Sequence, residues 1–326
     1  MKVFISKNIP LPGIEILKKS GFEISINESG QRLSQAELIS ACKKADFLLN
    51  VGQGTLDADF FENCKHLKGI ALTSVGFDHV DLAAATSLGI PVSNTPDVLS
   101  DATADIAFLL MLTVSRKAFF RAMQVVNGAW ADFEFTKELG TTLQGKTLGI
   151  FGLGRIGLSL ARKAQAAYDM KIIYHNRSQN KEAERLVDAT YVNFDQLLTQ
   201  SDVLSVHTNL TAETQYRFKK DTFKRMKNSA IFVNTARGKI HHELDLIDAL
   251  NNGEIWGAGL DVTDPEPMLP NNPLLSMSNT CIFPHIGSAT LETRTQMALL
   301  AANNIVAVKN GNRMPQVVNV DVYKEA

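Results

Sequence analysis

The chain lacks any long run of one charge sign. Its 326 residues carry 33 Lys and Arg against 34 Asp and Glu, a formal net charge of −1. Nucleic acids and acidic membrane surfaces are gripped by concentrated basic patches, so neither is an expected partner. Cysteine is scarce too. Cys42, Cys64 and Cys281 are odd in number, far apart and at no zinc-ligand spacing, which points to reduced thiols in a reducing compartment and to no metal site. The most apolar stretch, residues 106–114, is about half the length of a bilayer span. The start, Met1-Lys2-Val3-Phe4-Ile5, has neither the apolar core nor the cleavage site of a signal peptide, and a cytoplasmic location is the expectation. Short repeats and low-complexity linkers are also missing, which excludes solenoids and tethered arrays.

What remains is an ordinary globular composition, 45% hydrophobic and 21% charged, with length for two domains at roughly 150 residues each. Short β-branched or apolar runs alternate with helical patterns, the signature of parallel α/β architecture. Strands are predicted at 3–5, 22–26, 47–49 and 69–72, then at 147–151, 172–174, 203–206, 231–234, 258–261 and 281–283. Helices begin near Pro12, Ser34 and Asp57. A long helix starts near Ser100, where Ser100 or Asp101 can cap it, and runs past Arg116. Residues 127–145, with Trp130, Phe133 and Phe135, read as a packed loop, and both Trp130 and Trp256 as buried. The last helix, 291–309, spaces Met297, Leu300, Ala301, Ile305 and Val308 near the helical period. The fold class is α/β: two Rossmann-like, doubly wound parallel-sheet domains with a cleft between them, where ligands commonly bind.

The strongest single element is Gly152-Leu153-Gly154-Arg155-Ile156-Gly157. A lone GxGxxG carries little weight, but this one follows a strand pattern and opens a helix, the context a dinucleotide-binding turn requires. Gly152 makes the tight turn, Gly154 lets backbone amides approach a pyrophosphate, and Gly157 lets the helix pack on the sheet. The helix N-terminus then offers unpaired N–H groups and positive potential to phosphates. Roughly twenty residues on, the next strand ends in His175-Asn176-Arg177-Ser178, where an NAD enzyme usually places Asp or Glu on the adenosine ribose. Neutral Asn176, a guanidinium at Arg177 and a hydroxyl at Ser178 suit a 2′-phosphate instead, so NADPH is the expected coenzyme, with NADH also possible.

Three polar residues follow strand patterns: Arg237 in Asn234-Thr235-Ala236-Arg237-Gly238, Glu266 in Asp261-Val262-Thr263-Asp264-Pro265-Glu266-Pro267, and His285 in Pro284-His285-Ile286-Gly287. Each alone has a bland reading: a surface cation, a rigid turn, a satisfied loop histidine. The carboxyl ends of strands in an open α/β sheet line its ligand crevice, so the three can converge. Together they supply what reduction of a small 2-oxo acid demands besides a hydride. Arg237 grips the carboxylate by a planar pair, His285 gives a proton near neutrality, and Glu266 favours its imidazolium and fixes its tautomer. Asp261 is placed to accept from a nicotinamide carboxamide, or else is a turn aspartate. His241 and His242, near a helix start, read as solvated, and His207, ending a strand, as packing.

These segments, with Ser74-Val75-Gly76-Phe77-Asp78-His79-Val80-Asp81 and His285-Ile286-Gly287-Ser288-Ala289-Thr290, resemble the D-isomer-specific 2-hydroxyacid dehydrogenases over nearly the whole chain. Within that family the likeness is closest to the glyoxylate/hydroxypyruvate reductases. The resemblance implies catalytic roles for Arg237, Glu266 and His285, and a substrate-carboxylate loop at Val75 and Gly76. It puts Thr103 near the nicotinamide, Arg155 and Ile156 at the pyrophosphate, Arg177 at the adenosine phosphate, Asn209 and Thr235 along the cofactor trough, and Asp261 on the carboxamide. Gly287 joins that cofactor set. It implies a discontinuous substrate domain, 1–98 with 289–326, around a dinucleotide domain, 99–288, and a homodimer built on the long helix and the loop after it. Asn176-Arg177 departs from the acidic pattern of NAD-using relatives, so simple NAD specificity does not carry over. Alternatives are a phosphoglycerate or D-lactate dehydrogenase branch, or a non-enzymatic dinucleotide-sensing scaffold. The uncharged stretch Val51-Gly52-Gln53-Gly54 favours a small, uncharged substrate tail.

Overall fold

A computed structural model describes residues 1–52 and 54–324; Gln53, within the stretch expected near the substrate tail, lies outside the described residues. The first ninety-nine residues form β1 (Lys2–Ile5), α1 (Leu11–Lys19), β2 (Glu23–Ile26), α2 (Gln35–Cys42), β3 (Phe47–Asn50), α3 (Ala58–Asn63), β4 (Gly69–Leu72), α4 (Leu82–Ser87) and β5 (Val92–Ser93). Then come α5 (Ser100–Ser115), α6 (Ala118–Val126), β6 (Thr147–Phe151), α7 (Arg155–Tyr168), β7 (Lys171–His175), α8 (Lys181–Val187), β8 (Thr190–Tyr191), α9 (Phe194–Gln200), β9 (Val203–Val206), α10 (Lys220–Phe223), β10 (Ile231–Asn234), α11 (Glu243–Asn251), β11 (Gly257–Leu260) and β12 (Thr280–Ile282), followed by α12 (Leu291–Lys309).

The chain divides into two compact units, Met1–Leu99 with Ala289–Ala326, and Ser100–Ser288. Among the described residues the first holds a five-stranded sheet ordered β2-β1-β3-β4-β5, with every pairing parallel. Its central strands are apolar on both faces because helices cover both: Phe47, Leu48 and Leu49 of β3 are wholly buried. Helix α12 packs on α1, where Gly13 leaves no room for a side chain: a Cβ there would stand 2.9 Å from that of Ala298. The chain order reverses between β1 and β3, and this switch point is closed by Ser6 Oγ, which donates to Asn50 Oδ1 at 3.0 Å and accepts from Val51 N at 2.8 Å.

The second unit holds a seven-stranded sheet ordered β12-β11-β10-β9-β6-β7-β8, again parallel throughout. The order reverses between β6 and β9, and doubly wound sheets bind ligands outside the carboxyl ends of strands at such a point. Both sheets are thus doubly wound and parallel, as the alternating pattern implies. Helix α5 lies on β11, whose Gly259 brings the backbone close enough that a Cβ would meet that of Leu110 at 2.8 Å.

Three expectations need correcting. The long helix ends at Ser115 rather than running past Arg116, because Lys117 takes a left-handed backbone (φ 50°) and α6 starts afresh at Ala118. The loop after α6 packs only at its end, where Leu143 is buried; residues 127–140 are exposed, Trp130 at 68% and Phe135 at 80%, so Trp130 is not buried, and Trp256 is only partly so. His241 is not solvated; it is wholly buried after the turn that follows β10 and packs edge-on against Phe232.

Candidate active site

The glycine turn follows β6 at the second unit's switch point. Gly152 sits at φ 102°, and a Cβ on it would press 2.8 Å from the backbone carbon of His207, which follows β9. A Cβ on Gly157 would meet Gly152 O at 2.8 Å, so α7 packs on the turn only without one. Beside Gly154 the space a Cβ would enter is open. Helix α7 begins at Gly154 with no side chain capping a backbone N–H, as do α1, α6 and α11, whereas α2, α3, α4, α8, α9 and α12 are capped. A fourteen-residue helix with an uncapped N-terminus behind an open glycine suits an anionic group. These residues fit a dinucleotide pyrophosphate, with Arg155 exposed at the first turn and Ile156 turned into the core.

Beyond β7 the arrangement differs from the sequence reading in one respect. Asn176 does not reach outward: its Oδ1 accepts from Leu153 N at 2.7 Å and its Nδ2 donates to Leu153 O at 3.4 Å, so it braces the glycine turn. Arg177 and Ser178 are the exposed residues at this strand end. Glu213 lies within electrostatic reach of Arg177: its carboxyl is held below the usual range by the Thr211 hydroxyl first, and by the Arg177 charge least. Asn209 is exposed, its carbonyl accepting from Thr214 Oγ1 at 2.7 Å. Thr235 is buried, with Oγ1 3.4 Å from His207 Nδ1, while His207 Nε2 lies 2.8 Å from Ser205 Oγ. Burial pushes the His207 imidazole down to about 3, so it sits behind the turn as a neutral hydrogen-bonding group.

The three candidate catalytic residues follow β10, β11 and β12. His285 Nδ1 stands 2.6 Å from Glu266 Oε1, and both side chains are half exposed, at 48% and 43%. Burial alone would raise the Glu266 carboxyl. The hydrogen bond and charge of His285, the Thr263 N–H and the Arg237 guanidinium outweigh it and hold the group below its ordinary value. An ionised Glu266 therefore accepts a hydrogen bond from Nδ1–H and leaves Nε2 as the working nitrogen. Gly238 makes the approach of Arg237 possible, since a Cβ there would collide with the carbonyl of Thr263, three residues before Glu266. Arg237 Nη1 donates to Ala236 O at 2.7 Å.

Asp261, just past β11, anchors the histidine. Its carbonyl accepts from His285 N at 2.9 Å, Oδ1 from Ile286 N at 2.7 Å and Oδ2 from Gly287 N at 2.8 Å. Those bonds hold His285 at φ 55°, a left-handed conformation that costs a side-chain-bearing residue about 1–3 kcal/mol. Burial raises the Asp261 carboxyl and the two N–H groups oppose that rise. Thr103 of α5 donates to Gly287 O at 3.2 Å, closing the other side of the loop. Asp261 and Thr103 are visible in the sequence as candidates, but this clamp is not, nor are the roles of Asn234 and Gly238. A polar residue closing an apolar strand is the available signal for Asn234.

Val75 and Gly76 lie in the first unit, after β4. Asn94 Nδ2 donates to Val75 O at 2.8 Å and Ser74 Oγ to Gly76 O at 2.7 Å. With both carbonyls tied down, the orientation of the intervening peptide is fixed.

A doubly wound sheet with a glycine turn at its switch point, and an Arg–Glu–His cluster at neighbouring strand ends, is the arrangement of a dinucleotide-binding protein. The chain belongs to the D-isomer-specific 2-hydroxyacid dehydrogenase family: residues 108–287 match the family model for its NAD binding domain. It is 42% identical to a glyoxylate reductase of Thermococcus litoralis over 98% of this chain and 97% of that one. The solved structure of a protein from Thermus thermophilus superposes with a TM-score of 0.91 at 39% identity, covering 98% of this chain and 100% of that one. An NADPH-dependent glyoxylate/hydroxypyruvate reductase from Sinorhizobium meliloti, solved with NADP and malonate, superposes with a TM-score of 0.86 at 30% identity, over 100% of this chain and 98% of that one.

Proposed function

We propose that the protein reduces a small 2-oxo acid, of the glyoxylate or hydroxypyruvate type, to the D-2-hydroxy acid, with NADPH preferred over NADH. The observation that carries this reading is the 2.6 Å His285–Glu266 pair, held by the Asp261 clamp and approached by Arg237 in the same unit as the glycine turn. Reduced nicotinamide, when bound, supplies the hydride. Arg237 binds the substrate carboxylate through its planar guanidinium, and the Val75 and Gly76 backbone assists. His285 Nε2 delivers a proton to the carbonyl oxygen, and Glu266 stabilises the imidazolium that gives it. Asp261, with lone pairs left after the two N–H bonds, accepts from the carboxamide. Gly152, Gly154, Arg155, Ile156 and Gly157 hold the pyrophosphate; Thr103, Asn209, Thr235 and Gly287 line the rest of the dinucleotide. Arg177 and Ser178 take the 2′-phosphate, with Asn176 acting through the turn. The relatives named glyoxylate reductase and the NADP-bound structure support both halves of the reading.

In this reading Met1–Leu99 with Ala289–Ala326 is the substrate domain and Ser100–Ser288 the dinucleotide domain. The protein acts as a homodimer: Phe119, Met123, Val126, Trp130, Phe133 and Phe135 form an exposed apolar arm of the kind that marks an interface. The three buried, unpaired cysteines suit a reducing cytoplasm. Among the described residues no helix is long and apolar enough to cross a membrane. The test is a panel of NADPH and NADH against glyoxylate, hydroxypyruvate, and phosphorylated and longer 2-oxo acids. Faster oxidation of NADPH with the two smallest acids is expected. Equal or better use of NADH ends the coenzyme preference, and tight dinucleotide binding without turnover of any 2-oxo acid ends the enzymatic reading.

A further inference from the structure

Behind Arg237 lies a buried polar pair that the catalytic account does not use. Asn234 closes β10 and is wholly buried, as is His241 seven residues on. Asn234 Oδ1 accepts from Ala236 N at 2.9 Å, and its Nδ2 donates to Arg237 O at 2.8 Å. These two backbone partners fix which end of the amide is oxygen. The second Nδ2 hydrogen faces His241 Nδ1 at 3.0 Å, so that nitrogen has to be the acceptor. Asn234 O in turn accepts from Asp261 N at 2.9 Å, which joins the Arg237 loop to the strand that clamps His285. Ala236, held by Asn234 through its N–H, offers its carbonyl to the Arg237 guanidinium.

We propose that His241 is a positioning residue for substrate binding: as the neutral Nε2–H tautomer it accepts from Asn234, and Asn234 thereby holds the backbone on both sides of Arg237. The inference rests on the functional reading above for what Arg237 binds. The neutral state follows from the surroundings. Burial first, and the neighbouring His242 second, push the imidazole down to about 4, and His241 Nε2 finds no acceptor. An apolar residue at 241 would leave an Asn234 N–H buried without a partner, a defect that buried amides relieve by turning away. Turning Asn234 frees Ala236 and Arg237 together, and the guanidinium loses its fixed aim.

The substitution His241→Leu removes the acceptor at similar bulk, whereas His241→Asn keeps an acceptor oxygen near the Nδ1 position. His241→Leu is expected to raise KM for glyoxylate about five- to tenfold, the effect of one lost buried hydrogen bond, with kcat and the KM for NADPH within about threefold because only ground-state holding of the carboxylate is touched. His241→Asn is expected to restore KM. Histidine-15N spectra of the wild-type protein, which need no variant, should give His241 an unprotonated Nδ1 and a protonated Nε2. An unchanged KM in His241→Leu, a loss of thermal stability alone, failure of His241→Asn to restore KM, or a protonated Nδ1 each overturns the proposal. A wild-type protein that reduces no 2-oxo acid defeats the functional reading, and with it the link from His241 to substrate. The wrong tautomer in an active enzyme defeats His241 alone.

Discussion

Replacing Gly238 by Ala tests whether the loops after β10 and β11 must touch. A Cβ at this position collides with the Thr263 carbonyl and stands 2.8 Å from Asp264 N. Every obstacle is backbone, so no side chain can swing aside. Restoring a tolerable separation requires the two loops to part by on the order of 1 Å in an interior packed without slack. Arg237 precedes the substituted residue and Glu266 lies three beyond Thr263, so that movement misplaces the guanidinium relative to the His285–Glu266 pair. A misplacement of about 1 Å costs roughly 10²-fold in rate. The assay is kcat/KM for glyoxylate, alongside NADPH binding by fluorescence titration and a circular dichroism melt. The expected result is a fall of about 10²-fold in kcat/KM with dinucleotide affinity near wild type, since the turn at Gly152 is untouched. Activity within twofold of wild type, in a folded variant, would refute the packing argument.

Other outcomes follow from the same geometry. Arg177→Ala should raise KM for NADPH about tenfold or more and leave NADH nearly unchanged, as loss of a bidentate phosphate contact requires; equal effects on both coenzymes would remove Arg177 from specificity. Buried His241 and partly buried His207 should make the protein acid-sensitive. Their folded-state values lie below the unfolded value of about 6.5, so stability is full above that pH. It is lost as pH falls, while the unfolded chain binds protons that the fold refuses. For His241, pushed down to about 4, the loss is on the order of 3 kcal/mol; urea melts between neutral pH and mild acid should become less pH-dependent in His241→Asn. Trp130→Glu with Phe135→Glu should shift sedimentation from dimer to monomer, and an unchanged mass would exclude that arm as the interface.

The parallel strands are legible because each core strand is a short run of β-branched or apolar residues set between helical patterns. The two-residue edge strands β5 and β8 are not, since two residues carry no periodicity. The break between α5 and α6 is hidden because Lys117, not glycine or proline, takes the left-handed turn, and nothing in its chemistry announces that. Trp130 and the nearby phenylalanines read as packed from hydrophobicity alone, which does not distinguish a buried core from an exposed apolar surface. Arg237, Glu266 and His285 are visible as polar residues just beyond strands. The roles of Asn234, Gly238 and His241 are not, because they exist only across the turn that brings these residues together.

Proton delivery from His285 to a carbonyl beside reduced nicotinamide is the step on which the proposed reaction depends. Single-turnover oxidation of NADPH by saturating glyoxylate, compared between wild type and His285→Ala, measures that step directly. The predicted result is a rate lower by about 10²–10⁴-fold with NADPH affinity unchanged. A near-normal rate in the variant would contradict the assignment of His285 as the acid.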